Sequence, residues 1–283
     1  MLIGSKGLVR ISWLLLAVAG VALSSGAAAQ EVIRIGGTGL GTLLIQRLGV
    51  TYAKLNPSVQ IKPVLPPMGS NGSLRALASG SIQIAVVTFP SLPVEQRKDA
   101  DTNTVTPWVR TPLVFTGHDI VSGTKLTLAQ VGDIYSGRMT EWPDGKQIRL
   151  ITRTERESDT RLLRAISPLM DEAVATSIGR TGMPFAENDL DNQQMLEHTA
   201  GSFGAIGLGQ LLLMDSPLKP INLDGILPTM EGLQSGAYRI EKPLYLVTNK
   251  NLSTASQKFI RYLQSADVVK KIRRYGFITK QRD

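Results

Sequence analysis

The chain has 283 residues, with 31 Lys or Arg against 23 Asp or Glu, and no cysteine. Without cysteine it has neither disulfides nor a cysteine-linked lipid tether, so its stability must come from a packed core. The basic residues are scattered with little aromatic interleaving, which argues against nucleic acid. The one dense cluster, "VVKKIRRYG" (268–276), has the apolar spacing of a solvated helix face.

In chain order, residues 1–29 come first. Lys6 and Arg10 precede the apolar run "ISWLLLAVAGVAL", and small residues at Ala27 and Ala29 precede Gln30. This is the plan of a secretory signal peptide cleaved before Gln30, and it predicts export to the periplasm. The apolar run is short for a spanning helix. The remaining 254 residues carry 29 basic and 23 acidic side chains, enough chain for one large domain or two ordinary ones.

"VIRIGG" then reads as a strand and "TLLIQRLGVTYAKLN" as an amphipathic helix stopped by Asn56-Pro57. "VQIKPVLP" reads as a strand, "SLRALASG" as a helix and "IQIAVVTF" as a strand. Further on, "TPLVFTGHD" and "KQIRLITR" are strand-like, with "TLAQVGDIYSG" helical between them. "DTRLLRAISPLM" and "DLDNQQMLEHTA" are helical, "FGAIGLG" and "KPLYLVTN" strand-like, and "TASQKFIRYLQ" and "ADVVKKIRRYG" helical. Such alternation predicts an α/β protein with a largely parallel sheet, and a chain that crosses between two lobes.

Three turns rich in glycine or hydroxyls each open a helix. The first is "GGTGLG" (36–41). The second is "GSNGS" (69–73). The third holds Ser158, Asp159 and Thr160, placed to cap a helix, with Arg153 ending the strand before it. A helix start offers unpaired N–H groups and roughly half a positive charge. Glycine admits a close approach, and an Arg adds two parallel donors for an oxyanion. The three turns together predict a site for an anionic or strongly polar ligand, although any one of them could serve packing or capping alone.

Other chemistries fit less well. "GGTGLG" is not the dinucleotide-binding pattern, and no P-loop is present. His118 and His198 lack metal-ligand spacing. Without cysteine and with two histidines, a nucleophile–base pair is hard to assemble. The "TERESD" carboxylates leave an exported hydrolase as a remote alternative. The expectation is a non-enzyme with no cofactor and no metal.

Five stretches resemble one family. "GGTGLGTLLIQRLGVTYAKLNPSVQI" is similar to an opening loop and helix with an aromatic–x–Lys near its end. "MGSNGSLRALASGSIQIAVVTFP" resembles a Gly-Ser-Ser-Gly loop, helix and strand. "IYSGRMTEW" with the following "RLITRTERESDTRLL" resembles a segment ending in Arg and a Gly-Ser-Gly-Thr loop. "SFGAIGLG" and "FIRYLQSADVVKKIRRYGFI" resemble a late strand and the C-terminal helices. Spanning most of 33–279, these identify the chain as similar to the phosphate-type periplasmic solute-binding proteins of ABC transporters.

That resemblance implies a two-lobed type II periplasmic-binding-protein fold with two hinge crossings. Lobe one would take residues 31–115 and 237–283, and lobe two 116–236. A small inorganic or organic anion, most simply phosphate, would bind between them for an ABC permease in the inner membrane, and the receptor would be a monomer. The implied ligand positions are Thr38, Gly39, Ser70, Asn71, Gly72, Thr88, Arg153, Ser158 and Thr160. Two departures stand out. Both glycines of the Gly-Ser-Gly-Thr loop are acidic here, as Glu157 and Asp159, and the family's cleft Asp falls at Thr88. A carboxylate within ~4 Å of a bound oxyanion costs on the order of 4 kcal/mol at an effective dielectric of 20. Either Asp159 caps its helix and Glu157 pairs with Arg156 or Arg161, or the ligand is not phosphate. The altered loop keeps open a sensor or scaffold of the same fold.

Overall fold

The computed structural model describes residues 30–89 and 103–279. The expected signal peptide, 1–29, lies outside them. Strand β1 (Glu31–Gly37) leads into helix α1 (Gly39–Leu55), whose Thr38 cap accepts from the Gly41 N–H at 3.1 Å. Pro57 cannot continue the helix, and the chain turns at Asn56. Strand β2 (Val59–Pro63) returns parallel to β1. After α2 (Gly69–Ala78), β3 (Ile84–Val87) lies parallel on the other side of β1. Parallel neighbours need such helical crossovers because no tight turn can join them.

The centre of the sheet differs. Strands β4 (Asn103–Thr116) and β11 (Glu241–Asn249) run antiparallel to each other and to their flanking partners β9 (Ser202–Gly207) and β3. The order is β2-β1-β3-β11-β4-β9-β6, with β6 at Arg149–Leu150, and β12 (Ile278–Thr279) also pairs with β4. The expected parallel pairing therefore holds in the wings and fails at the two long strands that link them.

The long strand β4 changes partners along its length. Pro112 is its last residue opposite β11, facing Glu241, and Leu113 faces Gly207 of β9. Its side chains change core at the same place. Trp108 and Val109 pack with Ile33, Leu48, Tyr52, Leu246 and Phe259. Leu113 and Phe115 join Val131, Leu163, Met170, Phe203 and Tyr238. Lys242 pairs in register with Thr111, at the changeover itself.

Around the second core lie α3 (Leu128–Ser136), α4 (Ser158–Arg164) and α5 (Pro168–Gly179), while α6 (Asp189–His198) packs Leu196 against Val114, Ile151 and Ile206. The single helix expected over "DTRLLRAISPLM" is two, because Ser167 caps α5 and Pro168 sits in its first turn, where a missing N–H costs nothing. Short parallel pairs join β5 (Lys125–Leu126) to β10 (Asn222–Leu223) and β7 (Thr152–Arg153) to β8 (Phe185–Ala186). Helices α7 (Leu208–Leu213), α8 (Met230–Ser235), α9 (Thr254–Leu263) and α10 (Ala266–Arg273) complete the described chain. In α10 only Val268 and Ile272 are buried, so the basic cluster is a solvated face. No helix among the described residues is long and apolar enough to cross a membrane.

Where β4 leaves the sheet, a Cβ on Gly117 would lie 1.8 Å from the Ser202 carbonyl oxygen, and the next N–H, of His118, donates to Ser202 Oγ at 2.9 Å. Gly117→Ala must push β4 from β9. We expect a loss of about 1–3 kcal/mol, the range for overpacking, read as a lower urea midpoint at unchanged slope.

Candidate functional site

The three turns meet at the changeover, and what joins them is charge. Arg153, the last residue of β7, has its guanidinium 2.7 Å from Glu157, 3.4 Å from Asp159 and 3.1 Å from Asp189. Lys242, the second residue of β11, sets Nζ 2.7 and 2.8 Å from the two oxygens of Asp159 and 2.8 Å from Asp189 Oδ1. Lys242 is 0% exposed, Asp159 2% and Asp189 4%, so these are desolvated ions held by one another. Three carboxylates face two cations.

The first turn enters through Asp189. Its Oδ2 accepts the Leu40 N–H at 2.7 Å, so a carboxylate from the start of α6 sits on the start of α1. Such an N–H has no partner within its own helix. A Cβ at residue 39 would lie 2.5 Å from the Asp189 Cβ, so only glycine permits the contact. Here the close approach that the opening glycines allow is made by a side chain of the same molecule. The second turn is less intimate, with a Cβ on Gly69 standing 3.6 Å from Glu157 Oε1.

The predicted ligand residues divide accordingly. Thr38 caps α1 and Gly39 borders Asp189. Ser70 and Thr88 bond each other: Ser70 Oγ donates to the Thr88 carbonyl at 3.1 Å and accepts its N–H at 3.0 Å, while Thr88 Oγ1 donates to the Pro243 carbonyl. Asn71 and Gly72 are half-buried in the first turn of α2. Ser158 is buried, and Thr160 Oγ1 donates to the Thr154 carbonyl at 2.8 Å.

Both expectations for the acidic loop need correction. The cap of α4 is Glu157, whose side chain makes no capping bond, so Ser158, Asp159 and Thr160 lie inside the helix. Glu157 pairs with Arg153, not with Arg156 or Arg161, and Asp159 faces Lys242 and Arg153. The carboxylates of "TERESD" are thereby committed: Glu155 lies 3.3 Å from Arg164, and the other two serve the cluster. No group of His, Cys, Asp or Glu among the described residues could hold a metal ion. His118 bonds its neighbour Asp119, and His198 ends α6.

Reasoning from sequence missed Asp189 and Lys242. A lone Lys heading the apolar run "KPLYLVTN" was a usable sign, since an unpaired ammonium has no place in a buried strand. Asp189 follows the cap Asn188 and looks like any acid in a first helical turn.

Burial raises the Asp189 carboxyl toward its neutral form, but Lys242, Arg153 and the Leu40 N–H overcome it and hold the group below the ordinary carboxylate range. Burial prevails at Asp159, with the Asp189 charge adding to it, and at Glu157, so both are raised. Burial would lower Lys242, yet Asp159 and Asp189 keep it above its usual value. Space is scarce. The cavity that Arg153, Asp159 and Thr160 line measures about 10 Å³, roughly one water. A cavity of about 510 Å³ lies elsewhere, lined by Arg47, Val50, Met214 and Lys271.

The chain matches a PBP superfamily domain over residues 23–267. It is 22% identical over 262 residues to the phosphate-binding protein PstS of Borreliella burgdorferi, covering 88% of this chain and 90% of that one. A Clostridium perfringens protein solved with bound phosphate superposes with a TM-score of 0.75 at 18% identity, over 89% of this chain and all of that one. An ABC-type phosphate transport receptor from Vibrio cholerae gives 0.65 at 19%, over 88% and 100%.

Removing either cation leaves carboxylates uncompensated in the interior. Arg153→Ala and Lys242→Ala are each expected to cost about 3–5 kcal/mol in urea unfolding. For Asp189, a lowered folded value means stability present above the unfolded value and lost as pH falls. The wild type should exceed Asp189→Asn by about 1.5–3 kcal/mol, the worth of hydrogen bonds to a charge. That margin should be constant from about pH 8 to 5 and shrink below about pH 4, as followed by urea unfolding across the pH series.

Proposed function

The chain belongs to the PBP superfamily, and on that premise we propose that it is an exported receptor that captures a small oxyanion of the phosphate class for an ABC permease. It is a binding protein, not an enzyme. The anion would enter between two lobes, 31–115 with 237–283 and 116–236, that close about β4 and β11. One observation carries this reading. A carboxylate is held at once by a helix-start N–H, a guanidinium and an ammonium. Those are the donors an oxyanion requires, gathered where the chain passes from one core to the other. Thr38 and Gly39 of α1, Ser70, Asn71 and Gly72 of α2, Thr88, and Ser158 and Thr160 of α4 would border the anion, with Arg153 its main cation. The names of the relatives support phosphate as the first candidate. Periplasmic location follows from the leader.

A second reading has its own support. Since Asp189 already fills the donor set, a sensor or scaffold that needs no free ligand also accounts for the geometry.

Thermal unfolding with phosphate, sulfate, molybdate and small carboxylates separates the two. An anion at 1,000 times its dissociation constant stabilises by about 4.1 kcal/mol, and for the receptor at least one member of the panel should raise the midpoint clearly. A midpoint unmoved by every anion would leave the sensor or scaffold.

A further inference from the structure

We propose that Asp189 is the specificity-determining residue of this site: a resident anion that an incoming ligand must displace from the start of α1, Arg153 and Lys242. The entry of an outside anion rests on the receptor reading above; the hold of Asp189 on the site does not.

Four observations converge. The carboxylate uses the donors an anion would use, the Leu40 N–H at 2.7 Å, Arg153 Nη1 at 3.1 Å and Lys242 Nζ at 2.8 Å. It is delivered by a fixed element: the Asp189 carbonyl accepts from Gln210 Nε2 at 2.7 Å, and Asn192 of the same helix bonds the Ala205 carbonyl at 2.9 Å. On the far side of Arg153 and Asp159 the cavity they line with Thr160 measures about 10 Å³, so the cluster is closely packed there. Charge gives the same answer. Three carboxylates already face two cations, so an anion added without displacement would find both cations engaged. If Asp189 withdraws from the start of α1 and from Lys242, an outside anion replaces it at those donors.

Displacement sets the affinity. A ligand that binds only the form with Asp189 withdrawn has its dissociation constant raised by the reciprocal of that form's population. Minor states of this kind are populated at about 0.1–10%, so Asp189 weakens outside anions by about 10- to 1,000-fold. It also favours ligands bearing one charge, which match what they replace. Asp189 thus ties admission of ligand to separation of α6 from α1.

The test measures inorganic phosphate binding by calorimetry, and amide hydrogen exchange at Leu40 without phosphate, for the full exported chain and for Asp189→Ala and Asp189→Asn. Asn keeps the size of the side chain and an acceptor for Leu40 should Ala fail to fold. Tighter phosphate binding by about tenfold or more in Asp189→Ala, with faster Leu40 exchange that phosphate reverses, is the expected result. Where the wild type binds phosphate, equal or weaker phosphate binding in folded variants overturns the proposal, as does Leu40 exchange unchanged by both substitutions. Faster Leu40 exchange in the variants with no anion bound by any form supports Asp189 as the resident anion and contradicts the receptor reading.

Discussion

A carboxylate in a protein interior keeps its charge only if cations and N–H donors replace the water it has lost. Asp189 meets that condition with three donors from three parts of the chain: the start of α1, the end of β7 and the head of β11. Much of the surrounding architecture follows. Gly39 must lack a side chain, Arg153 must end its strand at the cluster, and Lys242 must lie buried in register with Thr111. Neither cation can change alone, because its removal strands an opposite charge, and a side chain at 39 would collide with Asp189.

The two antiparallel strands give the cluster its place. Were the sheet parallel throughout, each wing would close on its own core, with no shared strand to bring Lys242 to Arg153. Instead β4 contributes Trp108 to one core and Phe115 to the other, and β11 runs beside it with Lys242 at the changeover. Glu241 adds a second ion pair there, 2.8 Å from Arg110, but these side chains are about a quarter exposed and the pair is correspondingly weaker. Buried charge is thus concentrated where the two cores meet, and any separation of α1 from α6 must expose it to water.

How much of this could be read from the residues alone depended on distance along the chain. The strand–glycine–helix turns were legible because strand pattern, turn and cap are local, and Arg153 stood out as the one cation ending a strand before such a turn. The partners of that cation were not legible. Leu40 and Asp189 are 149 residues apart, and Lys242 reaches Asp159 and Asp189 over 83 and 53. Nothing local distinguishes Asp189 from other acids in a first helical turn. Glu157 and Asp159 were recognised as misfits in a loop expected to hold an anion, and of the two resolutions the one with Asp159 as cap and Glu157 paired to Arg156 or Arg161 does not hold. They turn inward because two buried cations need them. Thr88 was noted as the place of a missing acid, yet its hydroxyl is spent on the Pro243 carbonyl.

The measurement closest to the central claim is the side-chain carboxyl carbon resonance of Asp189, followed by NMR as pH is lowered from 7. A carboxylate gripped by Lys242, Arg153 and the Leu40 N–H should hold its ionised shift down to well below the ordinary value of about 3.9. Its resonance should then move only as the protein itself unfolds. A titration centred near the ordinary value in the folded protein would mean that Asp189 is a solvated acid and that no anion site exists at this junction.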